Sequence, residues 1–181
     1  MPTPAPEDVV ARAVDAGLRT QRLPRTIDRD TYTPALLGLL NNLLVWSGSR
    51  VFHHLHGVGT NEWRVVSALA NQPGSTASDL CDVLGMNKSI ASKSVNTLLA
   101  RGLVAQLDGR RGSRHLYLTD AGAAVHDDLL AVALERERIL HAGLSAEEVA
   151  QLNALLVRML DAAPALQEFE TRVSTERPAG R

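Results

Sequence analysis

Hydrophobic positions along this chain repeat with a helical period almost throughout and alternate in only one stretch. Val9, Val10, Ala13 and Val14 share one side of residues 7–20, which predicts a short helix. It follows residues 1–6, whose three prolines predict disorder, and precedes a polar connector, Arg19–Thr33, broken by Pro24. From Pro34 to about His56 the apolar positions are Leu36, Leu37, Leu39, Leu40, Leu43, Leu44, Val51, Phe52 and Leu55. Thr33 as a cap and Pro34 in the first turn make this a long helix. It is apolar on more than one side and so needs more than one partner; Gly57 and Gly59 stop it.

Three shorter helices follow. Thr60 caps one with a core face of Trp63, Val66 and Leu69, with Val65 beside them, and Asn71–Gly74 is a turn. Ser75 or Thr76 opens the next, with Ala77, Leu80 and Leu84 inward and Gly85 at its end. The third runs from about Lys88 to Arg101, and Gly102 ends it. The period then drops to two. Leu103–Leu107 and His115–Leu118 alternate like strands around Asp108-Gly-Arg-Arg-Gly-Ser-Arg114, which reads as a hairpin. Thr119 caps a helix reaching about His141. Ser145 starts a last one, with Glu147 and Glu148 in its first turn, ending near Ala162 or Ala163 before Pro164; the polar tail after Phe169 frays.

Composition narrows the class. In 181 residues, apolar types make up 45% and aromatics 3%, so the core is built of Ala, Leu and Val, which suits helices. Cys81 is the one cysteine, which excludes an internal disulfide and a thiolate zinc cluster; its helical neighbours make it a structural thiol. No apolar run reaches the roughly 18 residues of a membrane span, and the first ten residues lack the pattern of a secretory signal. The expected location is cytoplasmic. No spacing pairs a nucleophile with a base, and neither a phosphate-cradling glycine loop nor a His-Glu-x-x-His pattern occurs, so the chain reads as no enzyme and implies no cofactor.

The functional signal lies in residues 60–118. Two short helices joined at Gly85 make a helix-turn-helix, a unit that lays its second helix in the DNA major groove. On that helix Ala91, Val95 and Leu98 fall inward. Asn87 opens it, and Lys88, Ser89, Ser92, Lys93, Asn96 and Thr97 fall outward, as phosphate and base-edge contacts require. Ile90 also falls outward, where it can touch a thymine methyl. Thr76 and Ser78, at the start of the preceding helix, complete the candidate face. The formal net charge is −1, yet from Val83 to Leu118 six cations stand against Asp108 alone, a net +5, leaving −6 elsewhere. Arg110 and Arg111 at the hairpin tip are candidates for the adjacent minor groove, and Arg114 for phosphate or for pairing with Asp108.

The stretches TNEWRVVSALA, STASDLCDVLGMNKSIASKSVNTLLARGLV and DGRRGSRHLYLTDAG, in this order, resemble the MarR family of bacterial winged-helix regulators. The resemblance covers roughly Pro34 to Ala162. It implies a mainly α fold: a winged helix-turn-helix with a two-stranded β wing, plus N- and C-terminal helices that join two copies. It implies a homodimeric repressor on a palindromic double-stranded operator, often released by a small aromatic or anionic ligand. Ser92-Lys93 stands at the family's usual Ser-Arg step, while DGRRGSR departs from its Asp-x-Arg-Asp-x-Arg wing. The implied organisation is 1–33 as an N-terminal extension with room for one helix, 34–59 as the first dimerisation helix, 60–118 as the DNA-binding domain, 119–170 as C-terminal dimerisation helices and 171–181 as a flexible tail. Dimerisation also has a physical basis, because Val125, Leu129, Leu130, Leu134, Ile139, Leu140, Leu152, Leu155, Leu156 and Leu160 exceed what one small winged helix can cover.

An effector in such regulators sits beside the first long helix, where Asn42, Trp46, Arg50, His53 and His54 are the candidates; an arginine beside an indole suits an aromatic carboxylate. His53, His54 and His56 also raise a metal-responsive reading, but adjacent helical residues point about 100° apart and no acidic residue stands at i+4. The remaining alternative is a winged helix that binds protein rather than DNA.

Overall fold

The computed structural model describes residues 4–176. The chain divides into two compact units, one ending at Asn61 and the other starting at Glu62.

The first unit holds α1 (Glu7–Asp15) and α2 (Thr33–His56). Helix α1 is shorter than the pattern suggested, because Gly17 at φ +69° turns the chain out of the helix. The first turn of α2 also differs: Thr33 is inside the helix, Tyr32 occupies the cap position without a side-chain bond, and Pro34 is in the first turn as expected. Gly57 at φ +62° ends α2, its N–H bonded to the His53 carbonyl at 2.8 Å. Only Gly48 and Phe52 of α2 are buried. Thr60, expected as a cap, begins α3 (Thr60–Asn71) instead. Its hydroxyl donates to the Val45 carbonyl at 2.9 Å and accepts from Ser49 at 3.0 Å.

The second unit continues α3 and adds α4 (Ala77–Leu84), α5 (Lys88–Ala100), β1 (Val104–Asp108), β2 (Arg114–Leu118), α6 (Asp120–Leu140), α7 (Ala146–Asp161) and α8 (Ala163–Thr175). The strands form one antiparallel pair, with Val104 opposite Leu118 and Asp108 opposite Arg114. The fold is mainly α with a two-stranded wing, as expected. Val65, Val66 and Leu69 of α3, Leu80 of α4, Ala91, Val95 and Leu98 of α5, Leu103, Val104, Leu116 and Leu129 form the core. Trp63 is only half-buried and stacks on the His126 ring, centroids 5.7 Å apart. Cys81 is half-buried.

Three caps hold these helices where the sequence placed them. Thr76 and Asp79 form a capping box on α4, Ser145 and Glu148 another on α7, and Thr119 accepts from Gly122 N at the start of α6. Gly122 has a second duty: a Cβ there would strike the Leu103 carbonyl oxygen, so only glycine lets α6 start against the β1 end. Ala77, expected inward, is exposed in the first turn of α4.

Residues 163–175 correct the largest misreading. Pro164 does not merely stop a helix; it sits in the first turn of a new one, α8, bent about 40° from α7. The expected flexible tail 171–181 is thus helical through Thr175, and its last residues, like the start of the expected disorder at 1–6, lie outside the described residues. No single helix among the described residues is long and apolar enough to cross a membrane.

Candidate nucleic-acid interface

The candidate interface is built on α4, α5 and the wing. Gly85 at φ +58° turns the chain between the helices, Met86 is buried behind the turn, and the Arg64 guanidinium donates to the Leu84 carbonyl, closing the end of α4 from α3. Asn87 caps α5, its side chain accepting from Ile90 N at 2.9 Å. Ala91, Ser94, Val95 and Leu98 are buried. That thin inner face fixes the rotation of α5 and leaves Lys88, Ser89, Ile90, Ser92, Lys93 and Asn96 exposed.

Four of these, Ser89, Ser92, Lys93 and Asn96, line two adjoining concavities, while Lys88 and Ile90 line neither. One, of about 430 Å³, lies among α4, α5 and the wing base and brings together Thr76, Ser78, Ser92, Asn96 and Arg114. The other, of about 580 Å³, runs along α5 past Ser89, Ser92, Lys93, Asn96 and Thr97. Ser92 and Asn96 belong to both. Two predicted contacts are already engaged within the chain. The Thr76 hydroxyl donates to Asp79 at 2.9 Å while accepting from Asp79 N, and the Thr97 hydroxyl donates to the Lys93 carbonyl at 3.0 Å. Thr76 therefore sets the start of α4. Bonds from the Thr76 backbone, then its hydroxyl, hold the Asp79 carboxyl below its ordinary pKa. Gln106 and Ser113 also line the first concavity and were missed; Gln106 is an outward strand position whose neighbours across the groove come from α4 and α5.

The wing tip is a single 3-10 turn, Arg110–Gly112. Arg111 takes φ +58°, a left-handed conformation that costs an L residue roughly 1–2 kcal/mol. Gly112 follows at φ +77°, Gly109 N donates to the Ser113 carbonyl at 2.7 Å, and Arg110 and Arg111 are both exposed. Asp108 and Arg114 are register partners below the tip.

The residues proposed for an effector belong to the first unit. Asn42, Trp46, Arg50, His53 and His54 are all exposed on α2, and the first four fall within about 80° of helix surface. Among the described residues, no group of three His, Cys, Asp or Glu side chains is placed to hold a metal.

Comparison with known proteins decides the family. Residues 56–115 match the MarR family profile. The HTH-type transcriptional regulator PetP of Rhodobacter capsulatus is 32% identical over 110 residues, spanning 60% of this chain and 66% of PetP. A MarR/EmrR family transcriptional regulator from Acinetobacter sp. ADP1 superposes with a TM-score of 0.72 at 25% identity, covering 77% of this chain and 99% of that one. The chain belongs to the MarR family of winged-helix transcriptional regulators. The same fold occurs in the S. aureus MepR-DNA complex, with a TM-score of 0.66, 19% identity, and coverage of 75% of this chain and 99% of that one. The MarR profile spans α3, α4 and α5 and stops within the wing at His115, so the family match and the groove residues coincide.

Proposed function

We propose that this MarR-family chain binds a palindromic double-stranded operator as a homodimer, acts as a repressor, and is released by a small aromatic or anionic ligand. The observation that carries the reading is the outward face of α5. Ser89, Ser92, Lys93 and Asn96 border a continuous concavity and stand in a segment of net charge +5 in a chain of net −1. Short hydroxyls and an amide read base edges, and ammonium groups grip phosphate. Lys88, Arg110, Arg111 and Arg114 add electrostatic hold, with Arg110 or Arg111 in the minor groove. Asn87 and Thr76 act by placing the helix starts, with Ser78 beside the groove. The S. aureus MepR-DNA complex supports DNA as the partner of this fold.

The dimer reading rests on apolar faces. Leu152, Leu155, Met159 and Leu160 share one side of α7, Leu166, Phe169 and Val173 share one side of α8, and all are exposed. Each leucine fully withdrawn from water contributes about 1.5–3 kcal/mol, so a second copy is a strong thermodynamic attractor. In this reading residues 60–118 are the DNA-binding domain, while 34–59 and 119–170 supply dimer contacts. The exposed stripe Asn42, Trp46, Arg50 and His53, with His54 beside it, receives the effector.

A mobility-shift assay with the gene's own upstream region tests the proposal. Retardation at low salt that weakens as salt rises is expected; a folded dimer that retards nothing at low salt overturns it. Adding a panel of aromatic acids should release the DNA, and unchanged binding across the panel overturns the effector assignment.

A further inference from the structure

Cations are not spread evenly between the carboxylates of this chain. Three acid-free stretches carry three cations each, and no other carries more than two. Residues 83–107 include α5, and residues 109–119 include the wing tip. The third stretch, residues 16–27, lies in the first unit ahead of α2 and carries Arg19, Arg22 and Arg25. With the +5 of Val83–Leu118 and the +3 of residues 16–27 set aside, the rest of the chain is −9. Two of the three cationic stretches therefore belong to the candidate nucleic-acid interface, and the third has no role there.

The backbone of that third stretch is uncommitted. Helix α1 closes at Gly17 and Leu18, whose N–H groups bond to the Val14 carbonyl at 2.9 Å and the Ala13 carbonyl at 2.8 Å. The chain is next pinned at Asp28, whose carbonyl accepts from Thr31 N at 3.4 Å and Tyr32 N at 3.0 Å. From Arg19 to Ile27, no helix, strand or backbone–backbone hydrogen bond holds it among the described residues, and all of residues 16–27 are exposed. The side chains follow suit. Just outside the stretch, Arg12 pairs with Asp8 at 3.3 Å and Arg29 with Asp30 at 4.0 Å. Inside it, Arg22 donates to the Thr26 hydroxyl at 2.9 Å, while Arg19 and Arg25 make no ion pair or hydrogen bond among the described residues.

Three guanidinium groups without a carboxylate, on a backbone free to follow a partner, match a polyanion. Guanidinium binds phosphate bidentately, and an arm outside the recognition helix adds contacts to the duplex next to the site that helix reads. A membrane surface fits less well. Lipid-binding segments carry about four to eight cations or form an amphipathic helix, and here three cations lie on a stretch without a helix. We propose that residues 16–27 form a DNA-binding arm that grips phosphates of the same duplex beside the base pairs facing α5. Its contacts are electrostatic and add affinity without sequence preference. This inference rests on the DNA-binding reading above.

Fluorescence anisotropy of the full chain on labelled upstream DNA, over a range of salt concentrations, tests it. Combining Arg19→Gln, Arg22→Gln and Arg25→Gln removes the charge of the arm and touches neither α5 nor the wing. Each phosphate contact contributes about 0.9 to the slope of log affinity against log salt. In a bound dimer the triple variant should lose about two from the slope for each arginine engaged, up to about five, and its affinity deficit should grow as salt is lowered. Arg12→Gln with Arg29→Gln removes paired cations on either side and should leave the slope within about one of wild type. A triple variant with the wild-type slope overturns the arm. So does an equal fall in the flanking double variant, which would mean bulk charge rather than contact. If the triple variant does not fold by circular dichroism, the three single variants decide, and their losses should together reach about two or more. Co-sedimentation of wild type, but not of the triple variant, with phosphatidylglycerol vesicles, together with an unmoved DNA slope, would make the stretch a membrane contact and overturn the proposal. Absence of wild-type binding to DNA at every salt concentration overturns the DNA-binding reading itself, and this inference with it.

Discussion

Helices α5 and α7 belong to the same unit and differ in what covers them. The shorter, less apolar α5 buries Ala91, Ser94, Val95 and Leu98 within the chain, while α7, with leucines at 152, 155, 156 and 160, buries no residue. Apolar content alone therefore does not say which helix is core. Helix α5 is held by its own chain and presents its polar side outward. Helix α7 is held locally by its capping box and presents its apolar side outward. The first arrangement suits a rigid reading surface; the second suits a surface completed by another copy.

The comparison breaks most sharply at Leu98, which is fully buried. Leu98→Ala should cost about 2–5 kcal/mol in chemical denaturation; a cost below about 1 kcal/mol would mean that α5 is not anchored as described. Leu155 of α7 is 46% exposed, and Leu155→Asp should instead leave the helical circular-dichroism signal in place. It should weaken self-association by roughly two orders of magnitude in sedimentation, because a carboxylate would have to be desolvated at the contact. Unchanged association would remove α7 from the dimer surface. At the tip, Arg111→Gly should uncouple binding from stability. Relief of the left-handed strain keeps the melting temperature at or above wild type, while DNA affinity falls about tenfold.

The smallest expected effect is at the start of α4. Thr76→Ala should cost about 1 kcal/mol. The Asp79 carboxyl is held below its ordinary pKa by the bonds from Thr76, so the folded state favours the carboxylate. That stabilisation is present above the unfolded-state pKa and is lost as pH falls through the lower folded-state value. The gap between wild type and Thr76→Ala should therefore narrow without closing as pH falls through the aspartate range, because the hydroxyl's bond to the carboxylate is lost on protonation while its bond from Asp79 N is not; a gap of constant size would contradict the capping account.

Much of this was legible in the sequence because it depends on local spacing. The inward set Ala91, Val95 and Leu98, the stop at Gly85 and the caps at Ser145 and Thr119 each need only a few neighbouring residues. Leu129 shows where spacing falls short: its spacing places it with side chains needing a partner copy, yet it is fully buried within its own chain. Pro164 fits a helix stop and a first turn equally well by sequence, and only the chain after it distinguishes the two. The contact of His115 Nδ1 with the Gly74 carbonyl was invisible for a different reason: Gly74 lies 41 residues away, and the contact depends on hairpin register.

The central claim, that α5 and the wing grip DNA as a pair of copies, is tested most directly by the salt dependence of binding to the upstream region. Each phosphate contact contributes about 0.9 to the slope of log affinity against log salt. Lys93→Ala removes one cation per protomer, so a bound dimer should lose about two from the slope. A wild type that does not bind, or a slope that Lys93→Ala leaves unmoved, would contradict the account.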